Sequence, residues 1–192
     1  MMRRDECLKV LARHRSDEIV VAVYQAAQEW IHISPSDLNY TFTGAMGQGS
    51  SHALGLALGR PDKRVVVLDG DGSLLMNLGS MVTLSNKAPR NLYHFLFQNG
   101  VYAVTGGQPV PGAGNADWEK MAAGAGYAAT FSFDNLEDLT TGIDEVLAAR
   151  GPVFMHLAIV PQIENTPLHL RQRARRNVQV AIRELPEALG SA

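Results

Sequence analysis

The sequence predicts an α/β domain, a doubly wound parallel sheet with helices on both faces. Three observations carry this. Residues 19–23, 64–68, 92–98 and 153–160 are short runs rich in Val, Leu, Ile and Phe. They are too short for helices and apolar on both sides, as buried parallel strands are. Segments of helical periodicity alternate with them, the pattern of a parallel sheet with crossover helices. Polar, glycine-rich loops follow two of the runs, at the strand ends where such sheets bind ligands.

Taken in order, residues 5–15 read as a helix with Leu8, Leu11 and Ala12 on one side. Residues 19–23 are a buried strand, 26–31 a helical turn or two, and 34–39 a polar loop around Pro35. A glycine-rich stretch, 41–49, leads into a small-residue helix over 50–59. After the strand at 64–68, a glycine loop (69–73) opens a helix over 74–85, with Leu74, Leu78, Met81, Val82 and Leu84 as its apolar surface. Pro89 ends helical structure there. The strand at 92–98 is followed by a long loop, 100–114, with five glycines and two prolines. Loops of that length in a domain usually serve function. A helix over 117–125 and a short strand over 128–133 come next. Leu136, Leu139, Ile143, Val146 and Leu147 then mark a further helix. The strand at 153–160 is the last, and 167–185 reads as a helix with a basic middle (Arg171, Arg173, Arg175, Arg176), most simply a solvated face. The expected organisation is one domain over 1–192 with a C-terminal helical extension at about 165–192.

Composition narrows the function. With 17 Lys plus Arg against 19 Asp plus Glu, the net charge is −2. That excludes the basic surface of a nucleic-acid-binding protein and offers no polybasic membrane patch. The longest near-apolar run, 153–160, is interrupted by His156 and is far short of the roughly 20 residues a membrane helix needs. The charged start of the chain has no signal-like apolar core, and the single cysteine, Cys7, makes no internal disulfide. A cytoplasmic location is expected.

Chemistry concentrates in Gly70-Asp71-Gly72-Ser73. Flanking glycines let a backbone approach a bulky anion closely, and amides opening a helix favour phosphate. A carboxylate in the middle would repel that phosphate unless a cation lay between them. Magnesium, which takes oxygen ligands and shares them with phosphates, resolves the conflict. Asn99 follows the next strand, 28 residues after Asp71 (99 − 71), with one helix and one strand between. That spacing sets two adjacent strand tips side by side. Asp71, Asn99, a carbonyl near Val101, two diphosphate oxygens and a water would fill an octahedron. A lone Gly-Asp-Gly is most often a plain turn. The strand before it, the helix after it and the ending Gln98-Asn99-Gly100 favour the metal.

This motif resembles that of thiamine diphosphate-dependent enzymes. The family usually ends it with two asparagines, where this chain has Gln98 and then Asn99. The resemblance implies thiamine diphosphate and Mg2+ as cofactors. It implies Asp71, Asn99 and the Val101 carbonyl as metal ligands, with Gly70, Gly72 and Ser73 at the diphosphate. Thr43-Gly44-Ala45-Met46-Gly47 also matches. By the same resemblance Met46 wedges between the cofactor rings, and the Gly44 carbonyl and Met46 amide bond the pyrimidine, with Gly47 beside them. Met46 as ordinary core is the competing reading. Tyr102 either lines the cofactor pocket or packs. Residues 68–79 and Thr105-Gly106-Gly107-Gln108-Pro109 are similar to the sulfopyruvate and phosphonopyruvate decarboxylase branch. Gln48 and Val23-Tyr24-Gln25 depart from it.

The implied reaction is decarboxylation of a small 2-oxo acid. The family activates its cofactor with a glutamate on a pyrimidine-binding domain, and no glutamate here lies in that pattern. The expectation is therefore a heteromer, at least two of each subunit, with a partner of similar size supplying the glutamate, and a chain inactive without it. Thr105, Gln108 and His52 are the candidate substrate-pocket or catalytic groups; for Thr105 and Gln108 the bland alternative is a flexible glycine-rich loop with incidental polar residues. His156, alternating within a strand, reads as a satisfied core histidine. Competing functions are a carboligase or 2-oxo acid oxidoreductase subunit on the same cofactor, a noncatalytic cofactor-binding module, and a dinucleotide-binding domain. The last lacks its glycine fingerprint after the first strand.

Overall fold

The computed structural model describes residues 1–42, 46–163 and 177–190. Strands β1 (Ile19–Val23), β2 (Asn39–Phe42), β3 (Val65–Gly70) and β4 (Leu92–Gln98) are followed by a small antiparallel hairpin, β5 (Val101–Tyr102) and β6 (Gln108–Pro109). Strands β7 (Ala129–Phe133) and β8 (Val153–Ala158) complete the set. Six of these form one sheet in the order β2-β1-β3-β4-β8-β7, and every neighbouring pair is parallel. The chain steps from β1 outward to β2, then returns to the other side of β1 as β3. The carboxyl ends of β1 and β3 therefore flank a topological switch point, where open α/β sheets hold their ligands.

Helices cover both faces. On one lie α1 (Arg4–Arg13), α2 (Tyr24–Ile33) and α7 (Leu136–Ala148), whose Leu8, Trp30, Leu139 and Ile143 pack on Val20, Val66 and Phe95. On the other lie α3 (Gly49–Gly59), α4 (Asp71–Leu75), α5 (Ser80–Lys87), α6 (Trp118–Ala125) and α8 (Val178–Ala188). Their Ala53, Leu74, Met81, Trp118 and Ala181 pack on Val21, Val67 and Leu96. Alternate residues of β3 and β4 thus feed two cores, which is why the sequence shows unbroken apolar runs there. Fully burying one such large side chain stabilises by about 1.5–3 kcal/mol. Cys7 is buried in the first core.

Several elements differ from expectation. Strand β2 runs across the join of the expected polar loop (34–39) and glycine-rich stretch (41–49), where no strand was expected; its Asn39-Tyr40-Thr41-Phe42 is short and polar-rich, and its pairing comes from β1. The helix expected over 74–85 is two helices. Between them the backbone tightens to bonds of the i→i+3 kind, such as Met76 N–H to Ser73 O and Asn77 N–H to Leu74 O. The Asn77 amide donates to the Gly47 carbonyl at 3.2 Å. A Cβ on Gly47 (φ +75°) would lie 3.0 Å from those of Met76 and Asn77, so this turn packs directly under Gly47. The long loop over 100–114 carries the β5–β6 hairpin, bent by a single 3-10 turn, Ala103–Thr105. Of the helix expected over 167–185, the part from residue 178 onward is helical, within α8, which places Ala181 and Leu185 in the second core. Residues 167–176, with the Arg171–Arg176 stretch, lie outside the described residues.

Candidate functional site

A cleft of about 200 Å³ opens at the carboxyl end of the sheet, beside the switch point. Strand β3 ends on Gly70, α4 opens with Asp71, Gly72 and Ser73, and Asn99 follows directly on β4. The hairpin adds Val101, Tyr102 and Thr105, and Met46 closes another side.

Asp71 is the centre of the arrangement, 3% exposed. One carboxylate oxygen accepts from the Gly72 amide (2.9 Å) and the other from the Gly100 amide (2.8 Å), which ties the tip of β3 to that of β4. Burial pushes its pKa up; the amides of Gly100, Gly72 and Asn99 pull it part of the way back. A buried carboxylate held charged against its desolvation is a cost, and such costs gather at functional sites. Asn99 turns its side-chain oxygen to the Val101 amide at 3.0 Å, fixing the loop that follows. The Ser73 hydroxyl accepts from the Gly47 amide at 3.1 Å.

Among the described residues no three or more His, Cys, Asp or Glu side chains converge as a metal cage. A magnesium site that shares its shell with phosphate oxygens needs only one or two carboxylates, and Asp71, Asn99 and a loop carbonyl are the oxygen set present. Gly72 offers the matching cradle. A Cβ there would stand 2.6 Å from Tyr102 Cε1, so no larger residue fits beneath the ring.

The expected site residues mostly converge. Met46, Gly70, Asp71, Gly72, Ser73, Asn99, Val101, Tyr102 and Thr105 all line the cleft, and Gly47 touches it through Ser73. Gly44 lies outside the described residues. Gln108 is exposed and bonds Thr105 rather than lining the cleft. His52, on α3, has its ring nitrogen 3.0 Å from the Tyr40 hydroxyl and does not line the cleft either.

Sequence reasoning missed Arg4, Tyr24 and Gln25, which the ends of α1 and β1 bring to the same cleft. Tyr24 has φ +50°, a left-handed backbone that costs a non-glycine residue about 1–2 kcal/mol. The Val23-Tyr24-Gln25 departure was its only signal in the sequence. A second missed group lies under the β3 tip, on the face of the second core. The buried Asp69 accepts from the Gly70 amide, and its other oxygen lies 3.7 Å from His94 Nε2, beyond hydrogen-bond reach. His94 Nδ1 contacts the Tyr127 hydroxyl at 3.0 Å.

Gln98, the departure from the two-asparagine pattern, accepts from His156 Nε2 at 2.6 Å, and the Ser132 hydroxyl meets His156 Nδ1 at 2.8 Å. The chain of bonds spans β4, β8 and β7 and places a proton on Nε2. Burial lowers the His156 pKa, which favours the neutral ring. A folded-state pKa below the unfolded value means that the unfolded chain binds the proton first. Stability from this group is present above the unfolded value, about 6.5, and is lost as pH falls through the folded value. Denaturant unfolding at pH 7.5 and 5.5 should therefore show a smaller loss on acidification for His156→Gln than for the parent. An equal loss would remove His156 from the acid response.

Comparison with known proteins bears on this cleft. Residues 21–157 match the family described as thiamine pyrophosphate enzyme, C-terminal TPP binding domain. The chain is 40% identical over 143 residues to phosphonopyruvate decarboxylase of Streptomyces hygroscopicus, covering 74% of this chain and 35% of that one. It is 36% identical to the sulfopyruvate decarboxylase subunit beta of Methanothermobacter thermautotrophicus, covering 88% of each. It therefore spans about a third of the first relative and most of the second. In structure it resembles benzoylformate decarboxylase from Polynucleobacter necessarius, with a TM-score of 0.68 at 24% identity over 84% of this chain and 34% of that one, a likeness of fold. No described helix is long and apolar enough to cross a membrane.

Proposed function

The chain belongs to the thiamine pyrophosphate enzymes, and from that premise we propose that it is the diphosphate-binding subunit of a two-component, magnesium-dependent 2-oxo acid decarboxylase. The observation that carries the reading is Asp71, a buried carboxylate locked between two strand tips and lining the cleft. Asp71, the Asn99 side-chain oxygen and the Val101 carbonyl would hold the magnesium. Gly70, Gly72 and Ser73 would meet the diphosphate, and Met46 and Tyr102 the rings. When bound, thiamine diphosphate supplies the electron sink for loss of carbon dioxide. This chain's share is to hold the metal, shape the cleft and exclude water from it.

The substrate class follows the relatives, which act on sulfopyruvate and phosphonopyruvate by name. The relative matched over most of its length is itself named a beta subunit. A partner of similar size that brings a pyrimidine-binding surface and the activating glutamate fits that pattern, as does a cytoplasmic assembly.

Reconstitution tests this. Carbon dioxide release from sulfopyruvate or phosphonopyruvate should need this chain, the partner, thiamine diphosphate and Mg2+ together. Full activity of this chain alone would overturn the shared site. Condensation products in place of an aldehyde would move the assignment to a carboligase.

A further inference from the structure

We propose that Arg4 is a substrate-specificity residue of this cleft, reading the second, tetrahedral acid group of a 2-oxo acid, a sulfonate or a phosphonate. The inference rests on the decarboxylase reading above.

Its first support is placement. Met2 pairs with Ile159 just past β8, its amide donating to the Ala158 carbonyl (3.1 Å) and its carbonyl accepting from the Val160 amide (2.8 Å). That bridge holds the start of α1 at the carboxyl end of the sheet, so Arg4 borders the cleft that Asp71 and Asn99 also line.

Its second support is charge. Among the described residues lining the cleft, Arg4 is the one basic side chain, while Asp69 and Asp71 are acidic. A 2-oxo acid with a second acid group enters carrying at least two negative charges. The metal would answer Asp71 and the diphosphate, so a cation for the second acid has to come from elsewhere.

Its third support is unspent donors. The Arg4 side chain is 6% exposed, a burial that requires partners. Its Nε and Nη2 grip both oxygens of Glu29 at 3.0 and 2.7 Å, and its Nη1 donates to Gln25 Oε1 at 3.0 Å. Three of its five N–H groups are used, leaving one on each terminal nitrogen without a partner among the described residues. Glu29 and Gln25 hold the guanidinium plane still. A fixed planar fork with free N–H groups is the geometry that binds tetrahedral oxyanions bidentately.

The test uses the reconstituted holoenzyme with sulfopyruvate, phosphonopyruvate and pyruvate. Arg4→Met should lower kcat/KM on the two larger acids by about 100-fold. The loss should fall mainly on KM, and the preference for those acids over pyruvate should collapse. Arg4→Lys keeps the charge without the fork and should lose about 10-fold; it answers the question if the methionine variant folds poorly. Calorimetry with unreactive 3-sulfopropanoate should show binding to the parent holoenzyme and none to Arg4→Met. A pair that only staples α1 to α2 would lower stability and slow all three substrates alike, which overturns the proposal, as does unchanged selectivity. A parent that turns over none of the three overturns the decarboxylase reading itself, a result visible before any variant is made.

Discussion

Asp71→Asn is expected to lose at least about 100-fold in magnesium-dependent affinity for thiamine diphosphate while leaving the fold almost as stable as before. Changes around a metal's ligands already cost 10–100-fold in affinity, and this residue is proposed as a ligand itself. Stability is set by two opposed effects. The amide must turn its NH2 toward the Gly72 or Gly100 amide, so one buried N–H faces a donor in place of an acceptor. That costs about 1–3 kcal/mol. Against it, the substitution removes a carboxylate whose burial outweighs its hydrogen bonds, as the raised pKa records. The two largely cancel. The sign of the pH response separates them. A raised folded-state pKa means stability that is present below the unfolded carboxylate range and lost as pH rises through the folded value. The cofactor-free parent should therefore gain stability on acidification through that range, relative to Asp71→Asn. Calorimetric titration and denaturant unfolding of both proteins check both halves. Retained cofactor affinity would remove Asp71 from the metal site, and a collapse of the fold would make it a structural residue.

Such a residue is readable in a sequence because its chemistry is local. Gly-Asp-Gly follows a strand recognisable from unbroken Val and Leu, and Asn99 ends the next strand, so both positions are fixed by elements that announce themselves. Those strands are legible because each is buried on both faces. Strand β2 was not legible. Its four residues sit at the sheet edge, and pairing with β1 makes them a strand. Arg4 was hidden for a related reason. Nothing near it in the chain marks a cleft, and the Met2–Ile159 bridge, between residues far apart in the sequence, brings it there. Tyr24 was hidden by its backbone, since a left-handed φ at a tyrosine has no signature in local preference. His52 differs in the opposite direction: proximity to the glycine loop suggested the site, but α3 sets its ring beside Tyr40, outside the lining of the cleft.

Gly72→Ala should damage the site through Tyr102, and Tyr102→Ala should repair the damage. An added Cβ would stand 2.6 Å from Tyr102 Cε1, 2.9 Å from Cδ1 and 3.2 Å from Val110 Cγ2. Carbon atoms rest at about 3.5–4.0 Å, so the ring has to retreat by roughly 1 Å. Tyr102 belongs to the β5–β6 hairpin, and Val110 donates its amide to the Gly100 carbonyl, so the retreat pushes on the loop that begins at Asn99. Overpacking of this kind costs about 1–3 kcal/mol. Displacement of the Asn99 loop should weaken cofactor binding by about 10–100-fold, the range for groups that orient metal ligands. In Gly72→Ala/Tyr102→Ala the methyl group no longer meets the ring, and only the 3.2 Å approach to Val110 Cγ2 is left, which a shift of a few tenths of an ångström relieves. Stability and affinity should then return to the level of Tyr102→Ala alone, which makes the two changes non-additive, as contacting residues are. A double variant as weak as Gly72→Ala would mean that the glycine is needed for the approach of its own backbone to the diphosphate, and that the ring above it is incidental.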